Sequence, residues 1–180
     1  MHGGLRPTTA EGNSLMRIGE RFLGAARAAF EWTAALDFAE VASSVGNDGG
    51  ALTLRGPAVS LVISLDGRDD ALECRILRLI DGREPRTQFF VPLDPDQVTS
   101  VGFSSILRAA GREDIVQHLL HAAVDDQEWL ERALASMADA VQQYALPILE
   151  GDMGEFRIAA RHVVQRAHGD SGLGRPADAG

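Results

Sequence analysis

Ala58-Val-Ser-Leu-Val-Ile-Ser-Leu65, then Asp66-Gly67-Arg68-Asp69-Asp70, then Ala71-Leu-Glu-Cys-Arg-Ile-Leu-Arg-Leu79: this stretch decides the fold. In the first segment Val59, Leu61, Ile63 and Leu65 fall on one side, and Ala58, Ser60 and Ser64 on the other. Alternation of this kind is the mark of a half-buried strand, and Asp-Gly between two such runs signals a hairpin. The reading is an antiparallel pair, with Val59, Leu61, Ile63 and Leu65 turned to the core. Around Ile76-Leu77 the alternation slips phase, which predicts a β-bulge there.

The same period of two extends outward from this pair. It predicts strands near 39–45, 51–55, 58–65, 71–79 and 87–91, joined at Asn47-Asp-Gly-Gly50, Gly56-Pro57, Asp66-Gly67 and Asp81-Gly82. Pro57 and Pro92 belong at strand ends, because neither can donate to a ladder. Before the sheet, Leu15, Ile18, Phe22, Ala25, Ala29, Trp32 and Leu36 recur three and four apart, one helical stripe that Asn13 or Ser14 can cap. Ala25 and Ala29 are small enough to let a neighbour approach closely.

After Asp94-Pro-Asp96 the helical period returns. Gly102–Ala110 reads as a short helix stopped by Gly111, and Arg112–Ala123 as another. Asp125-Asp-Gln-Glu128 is a capping box opening a helix with the stripe Leu130, Leu134, Met137, Val141, Tyr144 and Ile148. Pro147 must kink or end that helix. Asp152-Met-Gly-Glu155 repeats the capping pattern ahead of Phe156, Ala160, Val163 and Ala167. The order predicts an α+β fold: an N-terminal helix, an antiparallel meander of four to five strands, and C-terminal helices packed on one face. Residues 1–12 and 169–180 read as disordered tails around a single domain, 13–168.

The 180 residues are 45% hydrophobic, ample for one packed core. All 17 basic residues are arginine, so no lysine can serve as a Schiff base or a P-loop cation. A net charge of -9 argues against a protein that tracks nucleic-acid phosphates. No apolar run reaches the ~18–20 residues of a membrane span, and no signal-peptide apolar segment opens the chain. The expectation is a cytoplasmic protein of bacterial type, with neither nucleic acid nor membrane as partner.

Candidate chemistry is sparse. Cys74, the single cysteine, lies in a strand and reads as a buried structural thiol. His118 and His121 share a helix face but lack the further ligands a metal needs, and His162 and His168 point apart. Asp66, Asp69 and Asp70 could carry acid–base chemistry or hold a divalent cation, yet their spacing is not that of a calcium loop and Arg68 stands among them. Gly46-Asn-Asp-Gly-Gly50 leads into a strand, without the helix N-terminus that cradles phosphate. No catalytic, metal or cofactor site is assigned.

Charge distribution points elsewhere. Asp125, Asp126, Glu128, Glu131, Asp139, Glu150, Asp152 and Glu155 stand against Arg132 alone, a local balance of -7 within Asp125–Glu155. Some of these acids suit helix starts. The rest can present a negative face to a basic protein partner, with Asp125, Asp126, Glu128, Glu131 and Asp139 as its contact residues.

The leading helix with Phe22 and Trp32, the meander with Val59-Ser-Leu-Val-Ile-Ser-Leu-Asp66, and the ending Leu146-Pro-Ile-Leu-Glu-Gly-Asp152 together resemble a class of functionally unassigned bacterial α+β proteins. Several of these are similar to immunity proteins of polymorphic toxin systems. The resemblance implies a non-enzymatic binder of a cognate protein. Two alternatives stay open: an acidic secretion-type chaperone, which would form a homodimer, and a small hydrolase or ligand-binding enzyme using Asp66, Asp69, Asp70 or His118.

Overall fold

The computed structural model describes residues 18–46, 48–69, 71–85, 92–115 and 127–169. The fold is α+β, with α1 (Ile18–Ala29) and a 3-10 helix (Glu31–Leu36) leading into β1 (Ala39–Val45), β2 (Gly49–Arg55), β3 (Val59–Asp66) and β4 (Ala71–Arg78). A 3-10 turn (Pro95–Gln97) precedes β5 (Ser100–Gly102), α2 (Phe103–Ala109), α3 (Gln127–Leu149) and α4 (Met153–Gly169). The sheet order is β1-β2-β3-β4-β5, and every neighbouring pair is antiparallel.

The central pair forms as its alternation requires. Val59 lies opposite Arg78, and the ladder runs unbroken to Asp66 opposite Ala71. Val59, Leu61 and Ile63 are fully buried and Leu65 nearly so, continuous with Leu52 and Leu54 of β2, Leu72, Cys74 and Ile76 of β4, and Val101 of β5. The turn differs from a two-residue Asp-Gly connection. Asp66 is the last paired residue, and its Oδ1 accepts the Arg68 N–H at 3.0 Å, an Asx arrangement that opens a longer loop.

Helices cover the face that carries these residues. Phe22, Leu23 and Ala26 of α1 are buried, with α1 packed on β2 and on α3. Gly19 lets α1 come down onto the β1–β2 turn, since a Cβ there would stand 2.3 Å from the Gly49 carbonyl oxygen. Leu130, Leu134, Met137 and Val141 of α3 are fully buried. Phe156, Ala159 and Ala160 bring α4 into the same core. Burying one such Leu or Met side chain contributes roughly 1.5–3 kcal/mol, so α3 alone, with four, anchors the helical layer.

Several sequence expectations are corrected. The first helix does not run as one α-helix to Leu36. Thr33 Oγ1 donates to the Phe30 carbonyl at 2.8 Å and the Thr33 N–H to the same oxygen at 3.1 Å, which tightens the continuation into 3-10 form. Trp32, expected in the core, is half-buried on that turn. The bulge is at Val41 of β1, between Glu40 and Ala42, and not at Ile76-Leu77. Leu77 broke the pattern because it packs half-buried on the second face of the sheet, opposite Ser60 and Ser100. β5 falls at Ser100–Gly102, where the sequence predicts no strand and places Gly102 at the start of a helix, while the expected strand at 87–91 lies outside the described residues.

Gly111 stops α2 as the sequence predicts, and Gly151 closes α3 in the same way. Gly111 (φ 70°) and Gly151 (φ 99°) hold the left-handed position after α2 and α3. Each is followed by a 6→1 hydrogen bond, from Arg112 N–H to Leu107 O at 2.8 Å and from Asp152 N–H to Pro147 O at 2.8 Å. Pro147 therefore sits inside the last turn of α3, which ends two residues later. The Asp152 carboxylate then accepts the Gly154 and Glu155 N–H groups at 2.8 and 3.3 Å and starts α4. The expected cap at Asp125-Asp126, positions 116–123 of the helix read over Arg112–Ala123, Asn13, Ser14 and residues 1–12 and 170–180 lie outside the described residues.

Candidate functional site

The helical period decides where the acidic residues of α3 stand. With Leu130, Leu134, Met137 and Val141 turned inward, positions 128, 131 and 139 come round to one exposed face, about 80° wide at 100° per residue. Glu128, Glu131 and Asp139 are all exposed there. Arg132 stands among them, 3.7 Å from Glu128, with both side chains largely in solvent. Such a pair contributes only about 0.3–0.5 kcal/mol, so it offsets charge more than it stabilises. Asp125 and Asp126 lie outside the described residues.

The other acids of the -7 stretch do not join this face. Glu150 is about 33 Å from Glu128 along the helix axis at 1.5 Å per residue. Asp152 is occupied as the cap of α4, and Glu155 sits in the first turn of α4. The acidic region therefore divides into a face on α3 and a helix junction.

Beside the α3 face runs a cleft of about 670 Å³ between α1 and α3. Gly24, Ala25, Ala28, Ala29 and Ala135 line it with short side chains, and Glu20, Arg21, Gln127 and Glu131 supply its polar groups. Arg21 Nε donates to Gln127 Oε1, and Gln127 Nε2 donates to Glu131 Oε1, both at 2.5 Å. This chain of donors ties the two helices together and fixes Glu131 at the cleft. The spacing of Ala25 and Ala29 already indicated close approach on this side of α1; that the approach leaves an open groove depends on α3, which no local pattern reveals.

Gly24 adds a detail. It is exposed in mid-helix, and a Cβ built on it would meet nothing within 4 Å. Glycine in a helix interior costs about 0.8–1 kcal/mol relative to alanine, and no packing within the described structure requires it.

The remaining candidates are placed as follows. Asp66 and Asp69 are exposed, and Arg68 pairs with Asp48 at 3.3 Å, so the tips of the two hairpins stand side by side. Asp70, His118 and His121 lie outside the described residues. His162 is half-buried and His168 exposed on α4. Cys74 is 3% exposed, and burial pushes its thiol up to about 12, which keeps it protonated and unreactive in the native state. Among the described residues no three His, Cys, Asp or Glu side chains are grouped to hold a metal ion. Among them, too, no helix is long and apolar enough to cross a membrane.

Sequence reasoning missed three polar clusters. Arg157 of α4 donates through Nε at 2.6 Å, and also through Nη2, to the Asp96 carboxylate, whose pKa that pairing lowers. Arg112 stands 5.5 Å over the Tyr144 ring, donates to its hydroxyl, and pairs with Asp114 at 2.9 Å. On the second face of the sheet, fully buried Ser60 donates to Glu84 at 3.1 Å, beside an Arg55–Glu84 pair at 3.0 Å. Apart from Arg112 and Asp114, the paired members are 24 to 61 residues apart, beyond any local signal. Each ties one element to another.

No protein-family model, curated protein or solved structure matches the chain.

Proposed function

We propose that this protein works by binding another protein, without turnover, in the manner of an immunity protein, through the acidic face of α3 and the cleft beside it. The observation that carries the reading is the position of Glu131. It belongs at once to the exposed acidic row with Glu128 and Asp139 and to the lining of the apolar cleft between α1 and α3. An apolar concavity edged mainly by acids, with its one arginine, Arg21, tied to Gln127, suits a partner with a basic surround and an apolar projection. The charge steers the encounter, and the buried apolar contact sets how long it lasts.

The test is kinetic. A partner captured from the native host would be measured against the wild type and against Glu131→Arg/Asp139→Arg at several salt concentrations. The reversed charges should slow association and flatten its salt dependence, since exposed charges are screened beyond ~8–10 Å at physiological ionic strength. An association rate that does not change would remove this face from the interface.

A further inference from the structure

On the second face of the sheet, Arg55 of β2 and Ser60 of β3 are cross-strand partners, and Glu84 lies over them. The end of β4 is bonded on both sides, from Leu79 N–H to Ala58 O and from Arg78 N–H to Thr99 O, so the chain beyond it must leave the plane of the sheet. Asp81 (φ 52°) and Gly82 (φ 70°) make the return, with Ile80 and Arg83 exchanging backbone hydrogen bonds at 2.9 and 3.0 Å. This turn is exposed, and Glu84 makes its only side-chain hydrogen bonds among the described residues.

Glu84 leaves its two donors incompletely used. Arg55 Nη2 and the fully buried Ser60 Oγ converge on a single oxygen, Glu84 Oε1, at 3.0 and 3.1 Å. Arg55 Nε is buried without an acceptor. Nε and Nη2 share one edge of the guanidinium, the edge with which Arg27, Arg112 and Arg157 each take both oxygens of a carboxylate. Of these four arginines, Arg55 alone uses half of that fork. A buried donor left unpaired is costly, so an anion filling the edge gains what Glu84 does not supply.

We infer that Arg55 and Ser60 form a binding site for the carboxylate group of a ligand, and that Glu84 occupies it as a tethered placeholder. In the bound state one ligand oxygen accepts from Arg55 Nε, and the other from Arg55 Nη2 and Ser60 Oγ. The Ile80–Arg83 turn swings aside with Glu84, since no other side chain of the turn is bonded to the sheet. Leu77, opposite Ser60 on β4, and Val62, two residues along β3, are half-buried on the same face. They give a short apolar body a place to rest. The carboxylate belongs to a small aliphatic acid or to the end of a peptide chain, and the test separates the two.

The experiment follows the Arg55 Nε–H resonance of the full chain, labelled with nitrogen-15, as butyrate is added at constant ionic strength. The resonance should move saturably with butyrate and stay still with butyramide, its neutral counterpart. Glu84→Ala should bind butyrate about tenfold more tightly, because no tethered carboxylate competes. Arg55→Lys keeps the charge, cannot fork, and should not bind. If that variant does not fold, the wild-type Arg55 resonance alone decides. N-acetyl-Ala-Val binding more tightly than butyrate, with its C-terminal amide silent, would assign the site to a chain end; the reverse order would assign it to a small acid. A wild-type resonance that never moves would overturn the inference, as would binding seen only in Glu84→Ala or a preference for inorganic phosphate. Glu131→Arg/Asp139→Arg should leave the titration unchanged, so the two proposals fail separately.

Discussion

Arg27, in the last turn of α1, grips both carboxylate oxygens of Glu40, near the start of β1, with Nε and Nη2 each at 2.8 Å. That two-point contact lowers the Glu40 pKa from an ordinary 4.5 to about 2. The depressed value means that the folded state binds a proton less readily than the unfolded chain. The stabilisation is therefore complete above pH 4.5 and lost as pH falls toward 2. The pair lies in solvent, so Glu40→Gln should cost only about 0.2–1 kcal/mol at neutral pH. Paired denaturant melts at pH 7 and pH 2.5 should show the gap between wild type and variant closing at the lower pH. A gap of constant size would mean that the glutamine acts through packing.

Phe22→Ala is expected to be among the most damaging core truncations, at about 3–5 kcal/mol. Phe22 is fully buried where α1 meets β2, and its ring would stand 3.3 Å from a Cβ placed on Gly50. Urea denaturation gives the value directly. A loss below 0.5 kcal/mol, about the ceiling for surface changes, would contradict the placement of α1.

Gly19 and Gly24 should respond to alanine with opposite sign. Gly24 has open space, so Gly24→Ala should stabilise by about 0.8–1 kcal/mol through helix propensity alone. Gly19→Ala would drive a methyl group against the Gly49 and Gly46 carbonyl oxygens, at 2.3 and 2.7 Å, and should destabilise by about 1–3 kcal/mol. Thermal melts of the two variants side by side test the seating of α1 on the hairpin turn.

Cys74 should resist thiol reagents in the native protein and react at once in denaturant. It is 3% exposed, and its thiol is pushed up to about 12 by burial. Its labelling rate would then report opening of the sheet. Rapid labelling under native conditions would place β4 at a mobile edge instead of next to the centre.

What could be read from the chain tracks how local each cause is. Val59, Leu61, Ile63 and Leu65 follow from an alternation within eight residues, and Leu130, Leu134, Met137 and Val141 from a repeat within four turns. Glu128, Glu131 and Asp139 share a face for the same reason. The 3-10 turn at Thr33 depends on a hydroxyl choosing a carbonyl three residues back, and β5 is too short to show any period. The cleft and the Arg157–Asp96 pair join residues about 60 to 110 positions apart. Only the folded chain brings those together.

Asp152 serves two masters: its N–H finishes α3 on the Pro147 carbonyl, and its carboxylate begins α4 on the Gly154 and Glu155 amides. No slack residue separates the two tasks, so the heading of α4 is inherited from α3, as in a mitred joint. One inserted residue would turn α4 by about 100° about its own axis and swing Phe156 out of its seat. This corner makes a sensitive register mark for any redesign of the helical layer.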